Sequence, residues 1–276
     1  MTTISKLIFI MAAKNNNTKI VHDYISTGAY INVKDEEGET ALHWASYKGH
    51  AECVRLLIDT GADFNVKNKS GYTALHWASY KGHTECVQLL IGTRADLTVQ
   101  DKDGWTALHW ASQQGKAECV KLLIEARADL TVQTQDGYTA LNWASDNGHA
   151  ECVKLLIGAG VDLNVQDKNG YTALHWASKF GHVECVKLLI RAGSDLNVQD
   201  KNGYTALHWA SDNGHSECVN LILGNVATKI QSVMRMHLRR INYLEILSLK
   251  PGGNLYFELK NEFESLKKDK NSNCLL

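Results

Sequence analysis

The sequence predicts an all-α solenoid of stacked repeats, on three observations. Gly38, Gly71, Gly104, Gly137, Gly170 and Gly203 recur every 33 residues, each followed by one residue and then Thr-Ala-Leu-His-Trp-Ala-Ser, with Asn142 the only departure from that string. A fixed period of this length marks stacked supersecondary units. Within a unit, Cys53, Val54, Leu56, Leu57 and Ile58 form a broad apolar face at helical spacing. Hydrophobic residues make up 44% of the chain and charged residues 21%, enough for a packed core and a solvated surface, which excludes disorder throughout.

Each element of the unit has a local cause. Thr40 and its equivalents stand where a helix N-cap is wanted, because a hydroxyl accepts from the orphan amides of the first turn. Gly49, within Lys48-Gly49-His50, supplies a turn between helices. Gly61, Gly160 and Gly193 fall where a second helix ends on a left-handed residue. Arg94 and Arg127 occupy that place in two repeats, and at positive φ each costs about 1 kcal/mol relative to glycine, which softens those repeats.

The period and the Thr-Ala-Leu-His-Trp-Ala string resemble the ankyrin-repeat family over residues 5 to about 225. The resemblance implies a β-turn finger, a short helix, a tight turn, a second helix and a loop to the next finger in each unit. Ala41 stands where that family usually has proline; the helix loses some preorganisation without being forbidden. The implied organisation is a degenerate N-terminal capping repeat at 1–37 and repeats at 38–70, 71–103, 104–136, 137–169 and 170–202. An incomplete C-terminal repeat at 203–225 and a basic amphipathic helical tail at 226–276 complete it. Leu7–Ala13 is read as the first helix of the cap, not as the apolar core of a signal peptide, because Ala12, Gly28, Ala29, Asn32 and Val33 match their repeat equivalents.

Charge and cysteine usage narrow the function. With 29 basic and 30 acidic residues the chain has no global field to draw nucleic acid or an anionic membrane, and no apolar run approaches a bilayer span. Six cysteines (Cys53, Cys86, Cys119, Cys152, Cys185, Cys218) repeat every 33 residues in apolar surroundings. Equivalent positions in stacked units lie about 10 Å apart, too far for a disulfide. They read as small buried hydrophobes in a reducing compartment, with the cytoplasm expected and the nucleus as alternative.

No catalytic apparatus, cofactor site or metal site is expected. The trio His43, His50 and Cys53 is spread over a helix, a turn and a second helix, and Asn142 and Lys116 replace one histidine of each kind. The first histidine is expected to brace the finger and the second to pack at the interhelix turn. Tryptophans 44, 77, 110, 143, 176 and 209 are expected in the core. Serines 46, 79, 112, 145, 178 and 211 have no activating partner.

The candidate binding residues lie where repeats disagree or expose large groups. After each finger glycine stand Glu39, Tyr72, Trp105, Tyr138, Tyr171 and Tyr204, a ladder of five aromatics suited to an interface. On the first helix the copies differ most at Tyr47-Lys48, Tyr80-Lys81, Gln113-Gln114, Asp146-Asn147, Lys179-Phe180 and Asp212-Asn213. The family resemblance implies binding on the concave face built from finger tips and first helices. Asn65, Asn164 and Asn197 also resemble the ankyrin asparagines that an asparaginyl hydroxylase modifies, although a turn-stabilising role is the expected one.

After Leu223 the pattern fails, and from Lys229 onward nine basic residues face five acidic ones. Ile230, Val233, Met234, Leu238, Ile241 and Leu244 form one apolar helical stripe, ended by Pro251-Gly252-Gly253. Ile230, Gln231, Arg235 and Arg240 resemble the IQ motif of calmodulin-like partners, with Met236 where glycine is usual. A hydrophobic cap on the stack is the expected role of this helix, and calmodulin binding the alternative.

The expectation is a non-catalytic scaffold that binds a partner protein, the runner-up being an adaptor whose tail couples a captured protein to an enzyme. Alanine at Tyr72, Trp105 and Tyr138 together is expected to abolish partner capture while leaving the circular dichroism spectrum intact.

Overall fold

A computed structural model describes residues 3–226 and Thr228. The chain divides into two units, Met1–Leu221 and Ile222–Leu276. Residues 222–226 of the second unit are helical. The tail residues Ile230, Gln231, Arg235 and Arg240, and with them the capping and calmodulin expectations, lie outside the described residues.

The first unit is built from thirteen complete helices and no strand among the described residues. In chain order they are α1 (Thr3–Lys14), α2 (Thr18–Ser26), α3 (Ala41–Lys48), α4 (Ala51–Asp59), α5 (Ala74–Lys81), α6 (Thr84–Gly92) and α7 (Ala107–Gln113). They continue with α8 (Ala117–Glu125), α9 (Ala140–Asp146), α10 (Ala150–Gly158), α11 (Ala173–Lys179), α12 (Val183–Ala192) and α13 (Ala206–Asp212). Residues 216–221 begin another helix. Odd-numbered helices pack on odd-numbered neighbours, even on even, and each pair packs within its own repeat. Two parallel files of helices result, each repeat leaning on the next.

The first helices start where the sequence places them. Thr40 is an extended N-cap whose hydroxyl accepts from the His43 amide, while the His43 side chain accepts from the Thr40 amide in return. The same reciprocal cap opens α5, α7, α9, α11 and α13. Each repeat then contributes the same small core: Ala41, Leu42 and Ala45 from α3, and Cys53, Val54 and Leu57 from α4, all at most 2% exposed. Alanine and cysteine at these positions let helices approach closely, and each buried leucine contributes about 1.5–3 kcal/mol.

Close approach of successive repeats also explains two glycines. Gly71 sits at the finger tip with φ +89°, and a Cβ there would lie 2.8 Å from the Asp101 Cα of the next finger. Gly49 ends α3 with φ +76°, and its Cβ would lie 2.5 Å from Nδ1 of His83. A side chain at either place would push two repeats apart.

The N-terminal segment is a helix pair, as read from sequence, with Phe9, Ile10, Ala12 and Ala13 buried. Its outward side carries Leu7, Ile8 and Met11, each more than 40% exposed. That is not the polar outer face a terminal repeat needs.

The six cysteines of the repeats are buried and unbridged, and burial pushes the thiols of Cys53, Cys86, Cys152 and Cys185 up to about 12. They are unreactive at neutral pH. Arg94 and Arg127 both adopt φ +63°. Arg127→Gly is therefore expected to raise the melting temperature by about 2–4 °C. A lower melting temperature by calorimetry would refute the strain assigned to that turn.

Candidate functional site: the finger and first-helix face

The finger is organised by one polar side chain three residues ahead of its tip glycine. Asp101 Oδ1 accepts the amides of Asp103 and Trp105, both at 2.9 Å, and Oδ2 accepts the indole N–H of Trp110 at 3.0 Å. Asp35, Asp167 and Asp200 hold Trp44, Trp176 and Trp209 in the same way, at 2.8, 3.1 and 3.0 Å. One carboxylate thus shapes the turn and ties the first-helix indole to it. Backbone bonds then join the fingers: Lys69 N–H donates to Glu37 C=O at 3.0 Å, and Lys102 N–H to Ser70 C=O at 3.0 Å.

Tethered this way, the indoles stand beside the finger aromatics. Trp105 packs between Trp110 and Trp143, with ring centroids 4.3 and 4.4 Å away. Tyr138 lies between Trp143 and Trp176 at 4.4 and 5.3 Å, and Tyr72 between Trp77 and Trp110 at 4.8 and 5.6 Å. Each of these rings is held between the indole of its own repeat and that of the next. The tryptophans are therefore not the core that the sequence suggested. Trp44, Trp77, Trp110, Trp143 and Trp209 are half-buried, and only Trp176 is buried.

The predicted binding residues are divided by this packing. Lys48 and Phe180 are exposed, Tyr204 is 40% exposed, and Tyr47, Tyr72, Tyr80, Lys81, Trp105 and Tyr138 are half-buried. Tyr171 departs from the expected exposure. It is buried between Trp176 and Trp209 with the Lys179 ammonium over its ring at 5.2 Å, so no partner reaches its face. Two cavities open on the surface between these groups. One of about 290 Å³ is lined by Tyr47, Tyr72, Trp77, Tyr80, Lys81 and Trp110. The other, about 190 Å³, is lined by Glu39, His43, Trp44, Tyr47 and Trp77.

The histidines serve the joints between repeats. His43 Nδ1 accepts the Thr40 amide at 3.1 Å, which leaves the proton on Nε2 to donate to the Tyr72 carbonyl at 3.0 Å. His76 and His175 reach the carbonyls of Trp105 and Tyr204, each at 3.2 Å. Burial lowers His43, His76 and His109 from 6.5 to about 4, so they are neutral at pH 7. Glu39 Oε2 lies 3.8 Å from His43 Nδ1, yet a neutral ring whose Nδ1 is committed to Thr40 forms no ion pair with it. Where it is present, the second histidine of a repeat packs at the interhelix turn and donates to the preceding first helix, as His83 does to Tyr47 C=O at 3.1 Å. Among the described residues no cluster could hold a metal.

One stretch, from Thr134 to Trp143, breaks both rules. Asn142 replaces the first histidine; its Oδ1 still accepts the Thr139 amide at 2.9 Å, but its buried Nδ2 reaches no acceptor. Thr134 replaces the finger carboxylate, and the buried N–H of Trp143 is likewise unpaired. The asparagine column holds the loops: Asn65 Oδ1 accepts the Asp96 amide at 3.0 Å and Asn164 Oδ1 the Asp195 amide at 2.9 Å.

Sequence reasoning missed the role of Glu39 as an acceptor and of Lys14 and Lys179 as cations over indoles. Trp77 Nε1 donates to Glu39 Oε1 at 3.0 Å, and the ammonium groups lie 3.7 Å from the Trp44 ring and 4.9 Å from the Trp176 ring. Lys14 and Lys179 occupy the same register as Tyr47, a signal visible once the cap is threaded into the period.

A column of half-exposed rings on a rigid helical stack defines a protein-interaction repeat scaffold. The chain belongs to the ankyrin-repeat family: the family model for ankyrin repeats matches in three copies, at residues 9–101, 85–167 and 153–233. A similar solved structure is the ankyrin repeat domain of Bcl-3, described as a unique member of the IkappaB protein family. It aligns with a TM-score of 0.69 and 28% identity over 78% of this chain and 96% of that one. A human relative, acyl-CoA-binding domain-containing protein 6, is 44% identical over 52 residues, which is 19% of this chain and 18% of that protein. The chain thus matches less than a fifth of that relative's length. No helix among the described residues is long and apolar enough to cross a membrane.

The buried histidines carry a pH signature. The unfolded chain binds their protons first as pH falls, so stability is full above about pH 6.5 and declines between 6.5 and 4. Urea midpoints are expected to be flat from pH 7 to 8 and to drop through that window; a constant midpoint down to pH 5 would contradict the neutral, bridging role. Thr134→Asp is expected to stabilise the protein by about 1 kcal/mol by giving Trp143 its acceptor. Equal or lower stability in denaturant titrations would show that the indole is satisfied otherwise.

Proposed function

We propose that this chain is a non-catalytic scaffold that holds a partner protein on the finger and first-helix face of its repeats, in the cytoplasm or nucleus. The observation that carries the reading is the half-exposed aromatic column with two adjoining cavities, in a family whose fold serves protein interaction. Tyr47, Lys48, Tyr72, Tyr80, Lys81, Trp105, Tyr138, Tyr204 and Phe180 would meet the partner. Amphipathic rings with basic neighbours combine large contact area with low loss of side-chain freedom. The positions at which otherwise near-identical repeats differ, such as Tyr47-Lys48 against Lys179-Phe180, lie on this face.

Because Tyr72, Trp105 and Tyr138 also bridge successive repeats, their replacement by alanine removes stack packing along with any contact. The cleaner test changes side chains that are not seated between two indoles: Lys48→Glu, Lys81→Glu and Phe180→Asp together. Affinity purification from native lysate with quantitative mass spectrometry is expected to show one or a few proteins retained by the wild type and lost by this variant, at an unchanged melting temperature. Identical protein sets for the two would move the binding face elsewhere.

A further inference from the structure

Glu39 holds the finger position that carries an aromatic ring in every later repeat, at Tyr72, Trp105, Tyr138, Tyr171 and Tyr204. At Tyr72, Trp105, Tyr138 and Tyr171 the ring fills the space between two successive indoles. At Glu39 the ring is missing, and the cavity of about 190 Å³ opens there, walled by Trp44, Tyr47 and Trp77. The walls are set nearly at right angles: Tyr47 meets Trp44 at 80° and Trp77 at 89°, with centroids 5.9 and 5.1 Å apart.

A carboxylate lies at the base. Glu39 is only 7% exposed; its Oε1 accepts Trp77 Nε1 at 3.0 Å and Asn68 Nδ2 at 2.6 Å, while Oε2 is buried with no hydrogen-bond partner. Among the described residues no lysine or arginine pairs with it. His43, the nearby imidazole at 3.8 Å, is neutral and committed to Thr40. Burial first, and then the neighbouring charges of Asp35 and Glu37, raise the pKa of Glu39, while the hydrogen bonds from Asn68 and Trp77 lower it. The surrounding rings do attract ammonium groups: Lys14 lies 3.7 Å from the Trp44 ring and Lys81 4.6 Å from the Tyr47 ring, both on side chains outside the cavity lining.

We infer that this slot takes the alkylammonium end of a lysine side chain, unmodified or N-methylated, presented by a segment of the partner protein. The inference rests on the scaffold reading above. The cation would take the place of the missing ring, its charge over the Glu39 carboxylate and its methylene or methyl groups against the three rings. An N-methylated ammonium has fewer N–H groups to strip of water and fits aromatic walls better, so it is the tighter of the two forms. The neighbouring cavity lined by Tyr72, Tyr80 and Trp110 has no carboxylate and would receive an apolar side chain of the same segment.

The test is an NMR titration of the full chain, following the indole resonances of Trp44 and Trp77. The probes are N-acetyl-lysine N-methylamide, its Nε-dimethyl form and the uncharged norleucine analogue. Both ammonium probes are expected to shift the two resonances saturably, the dimethyl form more tightly, with norleucine about tenfold weaker. Glu39→Gln is expected to weaken the ammonium probes by about tenfold. Glu39→Tyr, which puts a ring in the slot as in the later repeats while removing the acceptor of the Trp77 indole, is expected to abolish binding in a protein that stays folded. Equal binding of norleucine, or ammonium binding that survives in a folded Glu39→Tyr variant, would overturn the inference. Failure of these probes with the Lys48, Lys81 and Phe180 dependence of capture intact would remove the slot and leave the scaffold standing; the reverse pattern would do the opposite.

Discussion

No repeat of this protein closes its own structure; each must come within backbone distance of the next. At the finger tip the chain of one repeat runs past Gly71 so closely that a single methyl group would meet the following Cα at 2.8 Å. At the interhelix turn the next repeat's imidazole covers Gly49. From this approach follow the bond of His43 to the next finger, the backbone link between finger tips and the seating of each finger ring between two indoles. The apolar core of alanine, cysteine, valine and leucine brings the repeats together, and polar joints fix their register. A two-helix unit of this size could not bury enough surface alone.

Much of this was legible in the sequence because the period is a physical object. The string beginning at Thr40 specifies a cap, a core face and a joint, and each occurs where the spacing puts it. The left-handed arginines were legible too, since Gly61, Gly160 and Gly193 fix what the backbone does at equivalent places. The tryptophans were misread as core. The indole N–H groups of Trp44, Trp110, Trp176 and Trp209 are bound by carboxylates nine residues earlier, a pairing that periodicity does not reveal because both partners repeat with the same phase. Tyr171 was misread for a related reason: only the geometry shows that Lys179 and Trp209 close over it.

The candidate site was legible as a column and not as a set of distinct places. A ladder of aromatics suggests a uniform strip, yet the structure resolves it into chambers that differ in charge. What separates them is Glu39, a residue that reads in the sequence as one break in an aromatic series and in three dimensions as a carboxylate with one oxygen unanswered. Specificity in a scaffold of near-identical parts arises at such exceptions, because the repeated positions are committed to holding neighbours together.

The exceptional stretch from Thr134 to Trp143 has a mechanical meaning. In a one-dimensional array each joint transmits order to its neighbour, and a row of equal joints melts inward from its ends. Thr134 removes the tie from finger to indole and Asn142 the tie to the next finger, which leaves two buried donors without acceptors. A place with fewer polar ties opens at lower cost than its neighbours, which makes it a seam in the array. A partner spanning the seam would bind a jointed surface, and by bridging it would lend the weak interface the order its own side chains do not provide.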